Sequence, residues 1–370
     1  MARLLSSATK PTPHFHRNGR TGSTKQREPA IFGWKRIAGL NCAKTVISTR
    51  GNKMDVPFVF HIGLPKTGTA TLQKALFTKH PEVFYLGKDV KSSHPKGCAT
   101  KEIFENLSPL VWKTSDRTNI EEKKDFFQEI LSAKTGSFKV MLGSWEGLGN
   151  VPIEKHLLRM KLISSVFENC RIMLTLRNPL TQVPSEYLQD IGGNFVKRNR
   201  HWMGMKPYID VDQWFEKRVA RHDGLENVLT YSRNIETALE LFGRENVGVF
   251  VFEELIANSE QYYSDICQFI GIDSDLGVTL ASDKHNNKRT TKGQLDFLMK
   301  LNHQPLARLV ATCKGRKYRK QLFETNSDDV PAKATLSPHW KKEISETTKS
   351  GNRWLAETFN LDLAKHGYPL

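Results

Sequence analysis

The chain has 370 residues, 38% hydrophobic and 9% aromatic, enough to bury a substantial core. No apolar run approaches the ~18–20 residues needed to cross a bilayer. Cys42, Cys98, Cys170, Cys267 and Cys313 are odd in number, scattered and without CxxC spacing, so the pattern supplies neither a disulfide framework nor a zinc site, and a reducing compartment is expected. The net charge is +16, but residues 1–54 hold six arginines, five lysines and one acidic residue, Glu28, which places +10 there and leaves +6 on the rest. No basic stripe interleaved with aromatics points to nucleic acid.

Residues 1–54 are rich in Arg, Ser, Thr and Gly and weakly hydrophobic. Three readings stand: a basic disordered arm, an organellar transit peptide, or translation from Met54 just before the first strand. A secretory signal does not fit, because Ala30–Ser48 is interrupted by Lys35, Arg36 and Lys44. The expected organisation is a disordered arm over 1–54 and one domain over 55–370, in the cytoplasm, or in an organelle if the arm is a transit peptide.

Phe58 to Gln73 reads FVFHIGLPKTGTATLQ. Phe58, Val59, Phe60 and Ile62 predict a buried strand, Gly63, Pro65 and Gly68 a tight turn, and Thr69 onward a helix. A helix start offers free amides and a positive dipole end, so Lys66, Thr67, Gly68, Thr69, Ala70 and Thr71 form a candidate anion cradle. Lys66 precedes Gly68 rather than following it, which departs from a Walker A loop. Phe138–Leu142 predicts a second strand, followed by the turn Gly143-Ser144-Trp145-Glu146-Gly147. Apolar residues at Ile153, Leu157, Met160, Ile163 and Phe167 predict a crossover helix.

Arg171 to Gln189 reads RIMLTLRNPLTQVPSEYLQ: a strand, Arg177, a turn at Asn178-Pro179, and a helix bearing Ser185 and Tyr187. An arginine fork with a hydroxyl two helical turns on suits a phosphate. Residues 191–222 are less regular and, with Trp202, Met203, Met205, Tyr208 and Trp214, read as a flap or acceptor-side insertion whose aromatics either stack on a sugar or ring or pack under a long loop. Glu245–Ile272 reads as strand, acidic turn and amphipathic helix, with Glu253 and Glu254 as helix-start and packing residues. His285–Gln294, HNNKRTTKGQ, is a basic loop, and Asn352–Pro369 closes the chain with a helix and a GYP tail. Strand-like and helix-like segments alternate, as in an α/β fold with a parallel sheet and crossover helices.

GLPKTGT resembles the 5′-phosphosulfate loop of the sulfotransferases, and Arg177 with Ser185 resembles their 3′-phosphate motif; SWEG and the GYP tail are similar to bacterial-type members. The resemblance implies a P-loop-like three-layer sandwich with a central parallel sheet flanked by helices. It also implies 3′-phosphoadenosine 5′-phosphosulfate (PAPS) as co-substrate without a metal, and a hydroxyl or amine acceptor on a carbohydrate, glycolipid or small metabolite. Lys66 is then the cation at the bridging oxygen, Glu146 the general base, His94 the rival base and Asp89 a weaker one. Ser144 would orient the acceptor or touch the sulfuryl group, Arg289 with Lys292 and Gly293 would reach the 3′-phosphate, and His61 would be structural. Thr71 stands where cytosolic relatives carry an adenine-stacking tryptophan, and the membrane helix of Golgi-resident relatives is missing. The competing readings are a nucleotide kinase or NTPase and a non-catalytic nucleotide-binding module.

Overall fold

The computed structural model describes residues 56–87, 101–112, 115, 117–133, 138–145, 153–197, 206–229, 231–282 and 289–370, all within the unit Asn52–Leu370. The proposed arm 1–54 and the residues Asp89, His94 and Glu146 lie outside the described residues. Five strands, β1 (Phe58–Gly63), β2 (Val83–Tyr85), β3 (Val140–Ser144), β4 (Cys170–Leu176) and β5 (Val247–Val251), form one sheet in the order β2-β3-β1-β4-β5. Every pairing is parallel. The first helices are α1 (Thr69–Leu72), continued by a π-helical turn over Gln73–Phe77, α2 (Lys101–Val111), α3 (Ile120–Ala133), α4 (Ile153–Val166) and α5 (Pro179–Lys197). The next five are α6 (Val211–Arg221), α7 (Leu225–Val228), α8 (Tyr231–Phe242), α9 (Phe252–Ala257) and α10 (Ser259–Ile270). The chain ends through α11 (Ser274–Ala281), α12 (Lys292–Asn302), α13 (Pro305–Cys313), α14 (Gly315–Thr325) and α15 (Pro338–Phe359).

Alternation along the strands sends successive side chains to opposite faces. Phe58, Phe60 and Ile62 join Met141, Ile172, Leu174, Val247 and Val249 on one face, under α2, α3, α4 and α8. Val59, Val83, Tyr85, Val140, Leu142 and Met173 pack on the other, under α1, its π-turn, α10 and α11. Both faces are therefore apolar, which is why the strands read as continuous hydrophobic runs rather than alternating ones. Phe167, just past α4, stacks on Phe58 with ring centroids 4.0 Å apart. The result is the expected α/β sandwich of helix, parallel sheet and helix.

A third apolar cluster forms a helical addition from α5, α6, α12 and α15, with Tyr187, Phe195, Trp214, Phe215, Leu298 and Ile344 at its centre. Over 191–197 and 206–222 it favours the insertion over the flap. α5 runs on to Lys197 and α6 begins at Val211, and Trp214 is buried against Tyr187. The apolar positions of α6 are spent on packing, and a buried Arg218–Glu186 ion pair joins α6 to α5. Trp202, Met203 and Met205 lie outside the described residues.

The parallel order places the carboxyl ends of all five strands on one edge. From β3 the chain passes by way of α4 to β4 on the far side of β1, so β1 sits at the switch of direction, where open α/β sheets bind ligands.

Candidate active site

The loop after β1 is the innermost part of this edge. Lys66 has φ 67° and Gly68 φ 86°, two left-handed positions flanking Thr67. Such a conformation costs a non-glycine residue ~1–2 kcal/mol, and two neighbours offset it: Arg177 Nη1 donates to the Lys66 carbonyl at 3.1 Å and Gln182 Nε2 to the Pro65 carbonyl at 3.0 Å. Gly68 caps α1, and a Cβ added there would lie 3.1 Å from the Phe252 ring. The first amides of a helix ordinarily lack a carbonyl in their own turn; here those of Thr71 and Leu72 already donate to the Gly68 carbonyl at 2.9 and 3.0 Å. Lys66 and Thr71 are half-buried beside them, and Thr67 and Thr69 are buried.

Beneath the loop runs a chain of buried polar groups whose protons can be placed one by one. Thr67 Oγ1 donates to the Leu64 carbonyl at 2.7 Å, so its contact with Thr175 Oγ1 at 2.8 Å must be donated by Thr175. Thr175 has then used its proton, and the His61 Nε2 contact at 3.1 Å must be donated by His61. A neutral imidazole leaves Nδ1 as acceptor, which takes the Ser144 hydroxyl proton at 2.8 Å. Ser144 in turn accepts from Gln73 Nε2 at 2.8 Å. The bonds thus order themselves from the π-helical turn through β3, β1 and β4 into the loop.

This chain confirms His61 as structural and corrects the role given to Ser144. The strand expected to stop at Leu142 continues to Ser144, paired with His61, and the serine is wholly buried with its hydroxyl engaged twice. It supports the loop from below rather than meeting an acceptor.

Arg177, one residue beyond β4, reaches across to the first loop. Its Nη1 also donates to Ser185 Oγ at 3.2 Å, its Nε donates to Thr181 Oγ1 at 3.1 Å, and the guanidinium lies 4.8 Å from the centroid of the Phe252 ring. The structure therefore brings Arg177, Ser185 and the Lys66 backbone together. Burial pulls the Arg177 pKa down; Glu253 opposes this, and the like charge of Arg289 adds to it. Arginine still remains charged at neutral pH. Arg289 itself is exposed and close enough to Arg177 to be felt. Gly293 is not available in the way expected, since its amide donates to Asp328 Oδ2 at 2.8 Å inside the start of α12.

The C-terminal tail supports the same corner. Glu253 accepts from the Asn178 amide at 3.0 Å through Oε1 and from the Tyr368 hydroxyl at 3.1 Å through Oε2. Asn178 Nδ2 donates to the His366 carbonyl at 3.0 Å, and Asn352 Nδ2 donates to the Pro369 carbonyl at 2.7 Å. Glu254 pairs with the His366 ring, which holds its carboxyl below the usual range. Thr175, Thr181, Gln182, Phe252 and Tyr368 were not singled out from the sequence. The apolar strand before Phe252 gave a signal for its location at a strand end, but no spacing tied it to Arg177.

Replacing Thr175 by valine keeps the shape but removes the hydroxyl that accepts from His61 Nε2 and donates to Thr67 Oγ1. The expected loss is about 1–3 kcal/mol of stability, read by urea denaturation. The imidazole ¹⁵N shifts of His61 in the unaltered protein should report the neutral Nε2–H tautomer at pH 7; a cationic ring there would contradict the proton order.

Comparison with known proteins places these loops in a family. The family model described as sulfotransferase domain matches residues 57–330. No curated protein matches the chain. Among solved structures, a sulfotransferase from Alicyclobacillus acidocaldarius aligns at 15% identity over 84% of this chain and 98% of its own, with a TM-score of 0.46. The sulfotransferase domain of a Synechococcus olefin synthase aligns at 14% identity over 76% and 99%, with a TM-score of 0.37. A mouse sulfotransferase complexed with PAP aligns at 12% identity over 84% and 87%, with a TM-score of 0.38. These likenesses are distant, and the assignment rests on the family match. Since that match begins one residue before β1 and takes in both loops and the helical addition as far as Val330, the chain belongs to the sulfotransferase domain family and is a sulfotransferase enzyme.

Proposed function

We propose that the donor is PAPS and that the enzyme moves its sulfuryl group to a hydroxyl or amine of a carbohydrate, glycolipid or small metabolite, releasing 3′,5′-ADP. The observation that supports this most is the position of Arg177, hydrogen-bonded at once to the Lys66 carbonyl and to Ser185. Two anion-binding groups from different loops stand side by side, as a nucleotide with phosphates at both 3′ and 5′ positions requires. The turn and the start of α1, over Thr67 to Thr71, would hold the 5′-phosphosulfate chiefly by backbone amides, while Arg177, Ser185 and Arg289 would hold the 3′-phosphate.

In the reaction the acceptor oxygen or nitrogen bonds to sulfur as the sulfur–oxygen bond to the 5′-phosphate breaks. Negative charge then grows on the former bridging oxygen, and the Lys66 ammonium would stabilise it more in the transition state than in the ground state. The acceptor proton passes to a general base, for which Glu146 is the candidate and His94 its rival. No step calls for a resident metal.

Calorimetric titration with 3′,5′-ADP in the absence of metal, beside ATP with Mg²⁺, tests the donor. Tight binding of 3′,5′-ADP is expected, weakened roughly 10- to 100-fold in Arg177→Ala, with Lys66→Ala losing far more turnover than affinity. Binding of ATP·Mg²⁺ but not 3′,5′-ADP would reject the donor in favour of phosphoryl transfer. Glu146→Gln should abolish transfer and leave 3′,5′-ADP affinity unchanged; full activity in that variant would pass the role to His94. Tyr368→Phe removes one donor to Glu253 and is expected to lower 3′,5′-ADP affinity severalfold while leaving affinity for adenosine 5′-phosphosulfate, which lacks the 3′-phosphate, as it was.

A further inference from the structure

Far along the chain from both loops, α13 has its amphipathic character reversed. Leu306, Leu309, Val310 and Cys313 fall at the i, i+3, i+4, i+7 spacing that ordinarily marks a core-facing stripe. Here all four are exposed, Leu306 by 78%, Leu309 by 59% and Val310 by 44%. The side turned to the protein is made of small residues instead, Ala311 buried and Ala307 half-buried. Met299, near the end of α12, adds to the exposed apolar surface at 42%. Single exposed leucines mean little, but a contiguous exposed stripe on one helix marks an interaction surface.

Charge identifies what the stripe meets. Between Asp296 and Glu324 the sequence has seven basic residues and no acidic one. Lys300, Lys314, Arg316, Lys317 and Lys320 are exposed, with Lys314 directly after Cys313 at the end of the stripe. Lys314 lies 4.8 Å from the Tyr318 ring and Lys320 pairs with Glu324 at 3.6 Å, both at the surface. Arg319 is buried and ties the helices down, donating to the carbonyls of Phe195, Val196 and Ala311. The stripe is thus carried on a fixed base. A second copy of the chain would bring the same cluster against itself, and residues 1–54 carry +10, so both candidates repel it. Nucleic acid would meet the cations but has no use for exposed aliphatic side chains.

We infer that α13 and the start of α14 form a docking surface for an anionic lipid bilayer. Leu306, Leu309 and Val310 enter the boundary between headgroups and acyl chains, and the lysines and Arg316 pair with lipid phosphates. This rests on no assumption about donor or acceptor.

The test is flotation of the full chain with vesicles of phosphatidylcholine containing phosphatidylglycerol, and with vesicles of phosphatidylcholine alone, at physiological salt. Binding is expected to the anionic vesicles only, and to fall roughly tenfold both in Leu306→Asp/Leu309→Asp and in Lys314→Glu/Lys317→Glu. These positions are exposed, so the thermal unfolding profile should not move. Absence of binding to anionic vesicles overturns the inference. So does equal binding by wild type and both variants, which would place the contact elsewhere, with residues 1–54 the first candidate. A wild-type dimer in analytical ultracentrifugation that becomes monomeric in Leu306→Asp/Leu309→Asp would instead assign the stripe to a second copy.

Discussion

The site depends on a single file of buried hydrogen bonds from Gln73 to the Leu64 carbonyl. Each hydroxyl in it has one proton to give, and because the last acceptor is a carbonyl, which cannot donate, the direction of the bonds from Thr67 back to His61 Nε2 is fixed; with the imidazole neutral, Ser144 then donates to its Nδ1. Buried polar groups of this kind are costly when one partner is missing and rigid when all are satisfied. Four segments from three separate stretches of sequence, β1 and its loop with the following π-helical turn, β3 and β4, contribute one or more members each. The loop therefore holds its two left-handed residues as a consequence of the sheet having assembled in this order. The π-helical turn over Gln73–Phe77 takes part in the same constraint, since Gln73 begins it and also donates to Ser144.

Arg177 is held by the opposite strategy. Burial alone disfavours its charge, and the protein counters with Glu253, which is fixed by the Asn178 amide and the Tyr368 hydroxyl. The tail is no passive end of the chain: Asn352 on α15 accepts from Tyr231 and donates to the Pro369 carbonyl, so the last residues are tied to the face of the sheet covered by α8. A carboxylate within the field of a guanidinium, but bonded to other donors, neutralises the charge while leaving the fork's hydrogen-bonding edge to other partners.

How much of this could be read from the sequence follows from the separations involved. Phe58–Gly63, the turn and α1 are contiguous, and β-branched, aromatic and glycine positions mark each of them. Arg177 and Ser185 are eight residues apart on one strand–helix unit, so their meeting was legible. His61 and Ser144 are 83 residues apart and His61 and Thr175 are 114 apart, and nothing local distinguishes a serine that ends a strand from one that opens a turn. The two readings of Trp214 stayed open for a related reason. The aromatic density of 191–222 looks the same whether it lines a loop or fills a helix–helix interface, and only the partner, Tyr187 on α5, decides between them.

The arrangement also separates two kinds of binding energy. Arg177 and Ser185 stand together, and on the proposed reading they hold, with Arg289, a phosphate unchanged by the reaction; contacts there would favour ground state and transition state alike and serve to place the donor. On the same reading the loop of Lys66 would hold the group that gains charge as the sulfur–oxygen bond breaks, so the contribution of Lys66 would grow along the reaction. The Lys66 carbonyl accepts from Arg177, which on that reading couples the two: the group that would grip the unreactive end also fixes the backbone that carries the cation. On that reading a donor lacking the 3′-phosphate would lose affinity through Arg177 and Ser185, whereas the left-handed form of the loop is held by the protein's own bonds, the Arg177 contact with the Lys66 carbonyl and the buried file beneath it.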